Sequence, residues 1–255
     1  MLSKHLTKIV QNLEKKKFLE KYNLFKVEGE KLVNELLVSE LKIHTIIAFP
    51  QWAEVNRERL KGLDVQEVDE REMGQVSNFQ SLPEVVALAK IPTYECDEDS
   101  VCNSLSLVLN GIQDPGNMGT ILRLADWFGI RTIFCDQDCA GIYNPKSVQA
   151  SMGAIFRIKV FYTDLTSLIK KYKSETFHCY GTFLAGKNIY QTPLDSKGFI
   201  VMGNEGKGIS PEIEELLDLR LTIPSFAGNP NSTESLNVGV AAGIMLSEFK
   251  RRSII

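Results

Sequence analysis

The chain has 255 residues, of which 44% are hydrophobic, and this is enough for two modest hydrophobic cores. Its apolar stretches fall well short of the roughly 20 residues that cross a bilayer, and residues 1–5 lack the apolar segment of a signal peptide, so we expect a soluble, cytoplasmic protein. The net charge of −3 and the pI of about 5.8 exclude an overall basic footprint for nucleic acid.

The cysteines do not form a disulfide or zinc pattern. Their number is five, and they are scattered along the sequence, which fits a reducing compartment. The closest two, Cys135 and Cys139, have no second pair and no clustered histidine to complete a tetrahedral site. We therefore predict no metal.

The N-terminal part predicts a small α/β domain over residues 1–98. Apolar residues recur with helical spacing over 3–22 and again over 32–37, with a short extended piece at 25–27 between them. Strand-like runs follow at 43–49 and 85–88, with a helical pattern at 52–60. Residues 91–100 contain a proline and four acids, so we predict a linker at 99–104.

Three lysine- or arginine-rich runs interrupt the acidic background. They are Lys15 to Lys17 with Lys21 and Lys26, residues 170–173, and residues 250–252. Each run could contact nucleic acid, but a solvated helix face is the favoured interpretation of any single run.

Beyond the linker, residues 105–255 predict one α/β domain with a mostly parallel sheet. Buried-type strands are expected at 105–109, 132–135, 158–161, 177–184, 199–202 and 221–223, and helices at 118–129, 145–152, 164–173, 210–217 and 236–250. Continuous apolar strands that alternate with helices are typical of a parallel sheet covered on both faces. Ligands of such sheets bind beyond the carboxyl ends of the strands.

The first polar segment at a strand end covers residues 110–123. Asp114-Pro115-Gly116 predicts a turn, and Asn117 is a candidate N-cap of the helix that follows. Arg123 lies about 200° around this helix from the apolar position Ile121. We therefore expect Arg123 to point to solvent or into a site.

Two further segments follow later strands. Residues 203–210 are glycine-rich, but their spacing matches neither a P-loop nor a dinucleotide fingerprint. After Ile223-Pro224 comes a polar loop, and Ser235 is the predicted N-cap of a helix whose small residues at 239–243 allow close packing.

Together the three segments resemble the signature motifs of the SpoU-type (SPOUT class, TrmH-like) RNA ribose 2′-O-methyltransferases. The matching residues are Asn117-x-Gly119-x-x-x-Arg123, Met202-Gly203-Asn204-Glu205-Gly206, and Ile223-Pro224 with Ser235-Leu236-Asn237-Val238. Residues 144–146 and 150–154 also resemble the family pattern. The N-terminal part is similar to the RNA-binding domain of ribosomal-protein type that precedes this catalytic domain in many members, through residues 25–30 and 76–78.

The resemblance implies the cofactor, the partners and the roles of individual residues. It implies S-adenosyl-L-methionine as the methyl donor, RNA as the substrate with ribosomal RNA favoured over transfer RNA, a deep trefoil knot, and a homodimer. The implied catalytic group consists of Arg123, Asn117, Glu205, Ser235 and Asn237. The implied cofactor-binding residues are Thr182, Gly203, Asn204, Gly206, Ile223 and Leu236.

Two departures from the family pattern affect the expected RNA contacts of the N-terminal helix and the fit of the substrate. Leu19 stands where many relatives have an arginine after the lysine-rich stretch, and the loop at 225–234 is a few residues longer than usual.

Three other functions stay open at this point. A transfer-RNA ribose methyltransferase would keep these motifs. A non-catalytic RNA-binding factor that retains the fold is disfavoured, because it would have no reason to keep all five polar residues of the catalytic group. A nicotinamide-dependent oxidoreductase lacks its phosphate fingerprint here. Family accounts propose Arg123 as the base. An arginine with a pKa above about 12 is a poor base, so we favour a role in orienting the hydroxyl and binding the adjacent phosphate.

Overall fold

The computed structural model of the protein describes residues 2–227 and 235–252. The chain divides into two compact units. Unit 1 comprises Met1–Tyr94 and Gly141–Arg157, and unit 2 comprises Glu95–Ala140 and Ile158–Ile255. The sequence predicted one boundary at 99–104, whereas this division also groups 141–157 with the N-terminal unit.

The helices and strands run through both units in an alternating order. The strands are β1 (Leu24–Glu28), β2 (Ile43–Ala48), β3 (Val65–Glu67), β4 (Val85–Lys90), β5 (Leu105–Asn110), β6 (Thr132–Cys135), β7 (Lys159–Tyr162), β8 (His178–Asn188), β9 (Gly198–Gly203) and β10 (Leu219–Thr222). The helices are α1 (Lys4–Asn12), α2 (Lys16–Tyr22), α3 (Glu30–Leu37), α4 (Pro50–Val55), α5 (Glu70–Val76), α6 (Glu98–Cys102), α7 (Pro115–Trp127), α8 (Pro145–Ser151), α9 (Leu165–Tyr172), α10 (Pro211–Glu214) and α11 (Val238–Arg252).

Unit 1 is built on a four-stranded sheet in the order β1-β4-β2-β3. Strand β4 runs antiparallel to both of its neighbours. Helix α1 packs beside α5, and its apolar residues Ile9, Val10 and Leu13 join the core. Leu19, which stands where many relatives have an arginine, packs against the same core and contributes apolar contacts to the fold.

A buried ion pair within β1 is hydrogen-bonded to the end of α5. Lys26 and Glu28 are 2% and 5% exposed, and the Lys26 Nζ lies 2.7 Å from the Glu28 Oε1. Lys26 also donates to the Val76 carbonyl, while the other Glu28 oxygen accepts from the Ser77 hydroxyl and the Asn78 backbone N–H. The assignment of Lys26 to an exposed basic run was therefore wrong, because its ammonium group is buried and satisfied within the domain.

The segment 141–157 packs on the N-terminal sheet. Helix α8 contacts β1, and the rings of Phe25 and Tyr143 lie 4.6 Å apart. Arg157 forms an ion pair with Glu35 at 2.7 Å. These contacts explain why this segment belongs to unit 1.

Unit 2 contains a six-stranded sheet in the order β10-β8-β9-β5-β6-β7. Every neighbouring pair in it is parallel, which confirms the predicted parallel sheet. Phe199 lies in the core under α9, where its ring meets that of Phe177 edge-on at 4.9 Å.

Strand β8 leaves the ladder with β10 over residues 182–186. The two strands pair at Tyr180 and Gly181 and again at Lys187 and Asn188. A Cβ atom on Gly186 would lie 2.6 Å from the Arg220 carbonyl oxygen, so only glycine fits this close approach. The bulge therefore changes the direction of β8 where this strand approaches the carboxyl edge of the sheet.

Helix α11 packs closely on α7, as the small residues at 239–243 predicted. A Cβ atom on Gly239 would lie 3.0 Å from Thr120, and one on Gly243 would lie 3.4 Å from Leu124. At its other end, α11 carries Glu248, whose carboxylate binds Arg251 and Arg252. These hydrogen bonds, from Arg251 first, lower the pKa of Glu248 to about 2.

Residues 228–234 lie outside the described residues. The predicted trefoil knot involves chain on both sides of this gap and stays a prediction, as does the effect of the longer loop. No helix in the described ranges has the length and apolar character needed to span a bilayer.

Candidate active site

The first polar segment forms the start of α7. The helix begins at Pro115, and the Asp114 carboxylate is its N-cap, accepting from the Asn117 backbone N–H at 2.7 Å. The prediction that Asn117 caps this helix was therefore wrong. Because Asp114 takes that role, the Asn117 side chain is free to reach other segments.

The second segment is a tight turn after β9. The backbone N–H of Asn204 bonds to the Gly208 carbonyl, and the Asn204 side chain accepts from the N–H groups of Gly206 and Lys207 at 2.9 and 3.0 Å. A Cβ atom on Gly203 would lie 2.3 Å from the Gly208 backbone, so glycine is required there. These contacts fix the turn that carries Glu205.

The third segment leads into α11. This helix begins at Val238, and the Asn237 side chain accepts from the Gly239 and Val240 N–H groups at 2.9 and 3.3 Å. The prediction that Ser235 is the N-cap was wrong, since Asn237 immediately precedes the first helical residue. Ser235 is exposed, and its hydroxyl forms no hydrogen bond with the residues that the structure describes.

Three of the five predicted catalytic residues form one hydrogen-bond chain. The Asn237 Nδ2 donates to the Asn117 Oδ1 at 2.9 Å, and the Asn117 Nδ2 donates to a carboxylate oxygen of Glu205. Each residue comes from a different strand-end segment. The chain brings together positions that are up to 120 residues apart in the sequence.

Arg123 lies on the exposed face of α7, as its helical position predicted. Ile121 and Ala125 are buried on the opposite face of the helix. Within residues 2–227 and 235–252, the guanidinium of Arg123 forms no hydrogen bond or ion pair. It is therefore available to a ligand.

The predicted cofactor residues follow neighbouring strands. Thr182 lies in the β8 bulge, Gly203 ends β9, and Ile223 directly follows β10. Because β10, β8 and β9 are adjacent and parallel, these three positions lie on neighbouring strands towards the carboxyl edge of the sheet. Leu236 stands before α11 and is 48% exposed. An apolar, partly exposed residue beside backbone turns suits a nucleoside, so the residues present fit the adenosyl group of the implied cofactor.

Sequence reasoning missed the side chain that ties these strand ends together. Asn110 ends the central strand β5, and its amide donates to Asp136 after β6 and accepts from the Ser210 N–H, both at 2.7 Å. The Asn204 side chain also donates to the Gly111 carbonyl at 2.7 Å. The sequence did contain a signal for this role, because Asn110 directly follows the continuous apolar run 105–109 and so stands at the carboxyl end of a predicted buried strand.

Cys139 is part of the same scaffold. Its sulfur accepts from the Ile112 N–H and donates to the Leu109 carbonyl, both at 3.2 Å. A hydrogen bond with Cys139 and burial raise the pKa of Cys135 well above its usual value. A buried thiol with a raised pKa is a poor nucleophile, so Cys135 acts in packing, and Cys139 acts through its two hydrogen bonds to the backbone. The described part of the chain holds no group of three or more metal-ligating side chains.

Comparison with known proteins identifies a family for each of the two parts of the chain. Residues 104–247 match the SpoU rRNA Methylase family, and residues 5–87 match the MRM3-like substrate binding domain. The chain is 30% identical over 241 residues to the 23S rRNA (guanosine(2553)-2′-O)-methyltransferase RlmP of Bacillus subtilis, and this covers 94% of each chain.

Solved structures are similar over almost the whole length. An RNA methyltransferase of the TrmH family from Porphyromonas gingivalis is 34% identical with a TM-score of 0.85, and 99% of each chain is covered. An rRNA methyltransferase from Sinorhizobium meliloti, solved with AdoMet bound, is 28% identical with a TM-score of 0.85 over 99% of this chain and 96% of that one. This chain belongs to the SpoU rRNA methylase family.

Proposed function

We propose that this protein is an S-adenosylmethionine-dependent methyltransferase that methylates a ribose 2′-hydroxyl of ribosomal RNA. The observation that carries the proposal is the hydrogen-bond chain Asn237–Asn117–Glu205, which joins three distant strand-end segments at one edge of the sheet. The near full-length similarity to a 23S rRNA ribose methyltransferase supports the choice of substrate. Action on ribosomal RNA also agrees with the predicted cytoplasmic location.

The reaction needs a methyl donor, an aligned hydroxyl and an acceptor for the hydroxyl proton. S-adenosylmethionine supplies a methyl group on a positively charged sulfur. The turn at 203–208 and the segments around Ile223 and Leu236 would hold the adenosine part through backbone groups. Alignment of the two reacting atoms then accounts for much of the rate enhancement.

The amide of Asn117 has a defined orientation because it donates to a carboxylate and accepts from Asn237. We assign Glu205 and Asn237 the role of fixing this amide, and Asn117 the role of a polar wall of the site. Ser235, exposed beside Asn237, would supply a hydroxyl to the same wall.

Arg123 would bind the phosphate next to the target ribose and stabilise negative charge on the attacking oxygen. Its planar guanidinium suits two parallel hydrogen bonds to a phosphate. The phosphate that it holds would share the hydroxyl proton, because an arginine itself stays protonated at neutral pH.

A homodimer is part of the proposal, since the packed pair α7 and α11 leaves apolar side chains uncovered. Trp127 on α7 is 83% exposed, and Val240 on α11 is 52% exposed. Large apolar side chains exposed to this degree are found on surfaces that another chain covers. A second copy on this face would stand close to Arg123, which is one turn from Trp127 on α7.

Replacing Trp127 with glutamate should therefore weaken the dimer. A buried tryptophan at the centre of an interface contributes at least about 2 kcal/mol, so we expect the dimer dissociation constant to rise about 30-fold or more. Light scattering across a dilution series measures this. Val55→Glu is the matched control, because Val55 is 85% exposed and belongs to unit 1, whereas this helix pair belongs to unit 2. Equal dimerisation of the wild type and Trp127→Glu would contradict the assignment.

The function itself is tested by mapping 2′-O-methyl groups in total RNA from cells with and without the gene. We expect one site in ribosomal RNA to lose its methyl group and to regain it with the wild-type gene, but not with Asn117→Ala. A lost site in transfer RNA instead would support the transfer-RNA alternative. An unchanged methylation map would favour the non-catalytic RNA-binding factor.

A further inference from the structure

The last turn of α11 holds the chain that directly follows β8. The guanidinium of Arg252 donates to the backbone carbonyls of Ile189 and Tyr190 at 3.0 and 2.8 Å, and also to that of Thr192. A lysine has a single ammonium group in place of this planar fork of donors, so it could not serve all three carbonyls with the same geometry. The turn at 189–192 is therefore held by an arginine that lies 60 to 63 residues away in the sequence.

Glu248 fixes the direction of the Arg252 side chain. It lies one helical turn earlier on α11, and its carboxylate accepts from the Arg252 Nε at 2.7 Å. The side chains of Glu248 and Arg252 are 5% and 22% exposed, so this ion pair is shielded from solvent. Arg251 binds the same carboxylate, but its side chain is 55% exposed, and it bonds to no other side chain or carbonyl among the described residues. The two arginines therefore share one partner and differ in their contact with the turn.

This turn is also joined to the end of β10. The Ile189 N–H donates to the Thr222 carbonyl at 3.0 Å, and the Thr222 hydroxyl donates to the Leu184 carbonyl at 3.0 Å. Leu184 lies in the same β8 bulge as Thr182, and Thr222 directly precedes Ile223. Hydrogen bonds therefore connect Arg252 with the two strand ends that carry Thr182 and Ile223, both predicted cofactor residues.

We propose that Arg252 is a positioning residue for the cofactor. By holding the turn at 189–192, it fixes the end of β10 and with it the backbone of Ile223, which contacts the adenosine part of S-adenosylmethionine. A binding segment that is already ordered loses less conformational entropy when the ligand binds. The effect of Arg252 therefore falls on cofactor affinity and not on the rate of methyl transfer. This inference deepens the proposed function, because it takes S-adenosylmethionine to be the methyl donor.

The test compares Arg252→Ala with Arg251→Ala in the full-length protein. Arg252→Ala removes the three hydrogen bonds to the turn, so we expect the dissociation constant of S-adenosylmethionine, measured by calorimetry, to rise about tenfold. The KM for the cofactor should rise by a similar factor, while kcat at saturating cofactor and the KM for ribosomal RNA stay within about twofold. Arg251→Ala is the matched control, because it loses the same carboxylate partner and should leave all four quantities within about twofold.

A second variant keeps the test independent of folding. Arg252→Lys retains the positive charge beside Glu248 but loses the planar fork, so we expect a rise in the dissociation constant of about threefold. Circular dichroism shows whether each variant is folded, and Arg252→Lys decides the question if Arg252→Ala is not.

Three results would overturn the proposal. The first is cofactor affinity of the folded Arg252 variants within 1.5-fold of wild type, roughly the precision of the measurement. The second is an equal loss of affinity in Arg251→Ala, and the third is a fall in kcat at an unchanged KM for the cofactor. If the wild type binds S-adenosylmethionine and methylates RNA while one of these results is found, only the role of Arg252 is wrong. If the wild type neither binds the cofactor nor methylates RNA, the proposed function fails.

Discussion

Replacing Arg123 with alanine should lower the rate of methyl transfer by about 100- to 1000-fold and leave S-adenosylmethionine affinity within about twofold. The magnitude is that of removing one charged donor from a developing oxyanion. Cofactor affinity should persist because the proposed adenosine contacts come from the segments at 203–208, 223 and 236, not from α7. Single-turnover methylation of ribosomal RNA measures the first quantity, and calorimetry with S-adenosylmethionine measures the second.

Two control variants sharpen this experiment. Arg123→Lys keeps the charge but loses the planar fork, so we expect a rate between those of the wild type and the alanine variant. Arg131→Ala removes an exposed arginine just beyond α7 that pairs with Asp126, and it should leave the rate unchanged. Full turnover by Arg123→Ala would remove Arg123 from the mechanism.

The parallel sheet of unit 2 and the exposed position of Arg123 on α7 were predictable from the sequence. The spacing of apolar residues along each element determines both. Continuous apolar runs such as 105–109 and 199–202 are typical of buried parallel strands, and both form neighbouring strands of the observed sheet. The helical period alone puts Arg123 opposite Ile121. Such features need no information about distant residues.

Features that depend on tertiary packing could not be predicted. Helix α8 has an ordinary helical pattern, and nothing in its sequence says that it packs on β1 in unit 1. The two N-cap errors have a similar cause, because Asp114 and Asn117, or Ser235 and Asn237, are equally good caps by residue type. The missed helix α5 did carry a signal, since Asp69 and Glu72 form a capping box.

The hydrogen-bond chain of the candidate site lies between these cases. Its residues were singled out by motif, but the pairing of Asn117 with both Glu205 and Asn237 depends on how three strand ends meet. The meeting point is set by Asn110, whose side chain joins the ends of β5 and β6 to Ser210. Sequence therefore predicts which residues matter more readily than which atoms touch.

Replacing Lys26 with methionine should destabilise unit 1 by about 3–5 kcal/mol. The change leaves Glu28 buried at 5% exposure without its counter-ion, and breaking one side of a buried ion pair has a cost of this size. Urea unfolding followed by the fluorescence of Trp52, which is buried in α4, reports on this unit. Because the chain has two tryptophans, the measurement is made in a Trp127→Phe background.

The matched control is Lys61→Met, which breaks the exposed ion pair with Glu58 in the same unit. Exposed pairs contribute little, so its stability should stay within about 1 kcal/mol of the background. The comparison also separates two interpretations of the motif around Lys26. If Lys26 were a surface contact for RNA, Lys26→Met would lower RNA affinity at unchanged stability. We expect a loss of stability instead, because the ammonium group bonds to Val76 and Glu28 and connects β1 to the end of α5. A loss of stability no larger than that of Lys61→Met would contradict this structural role.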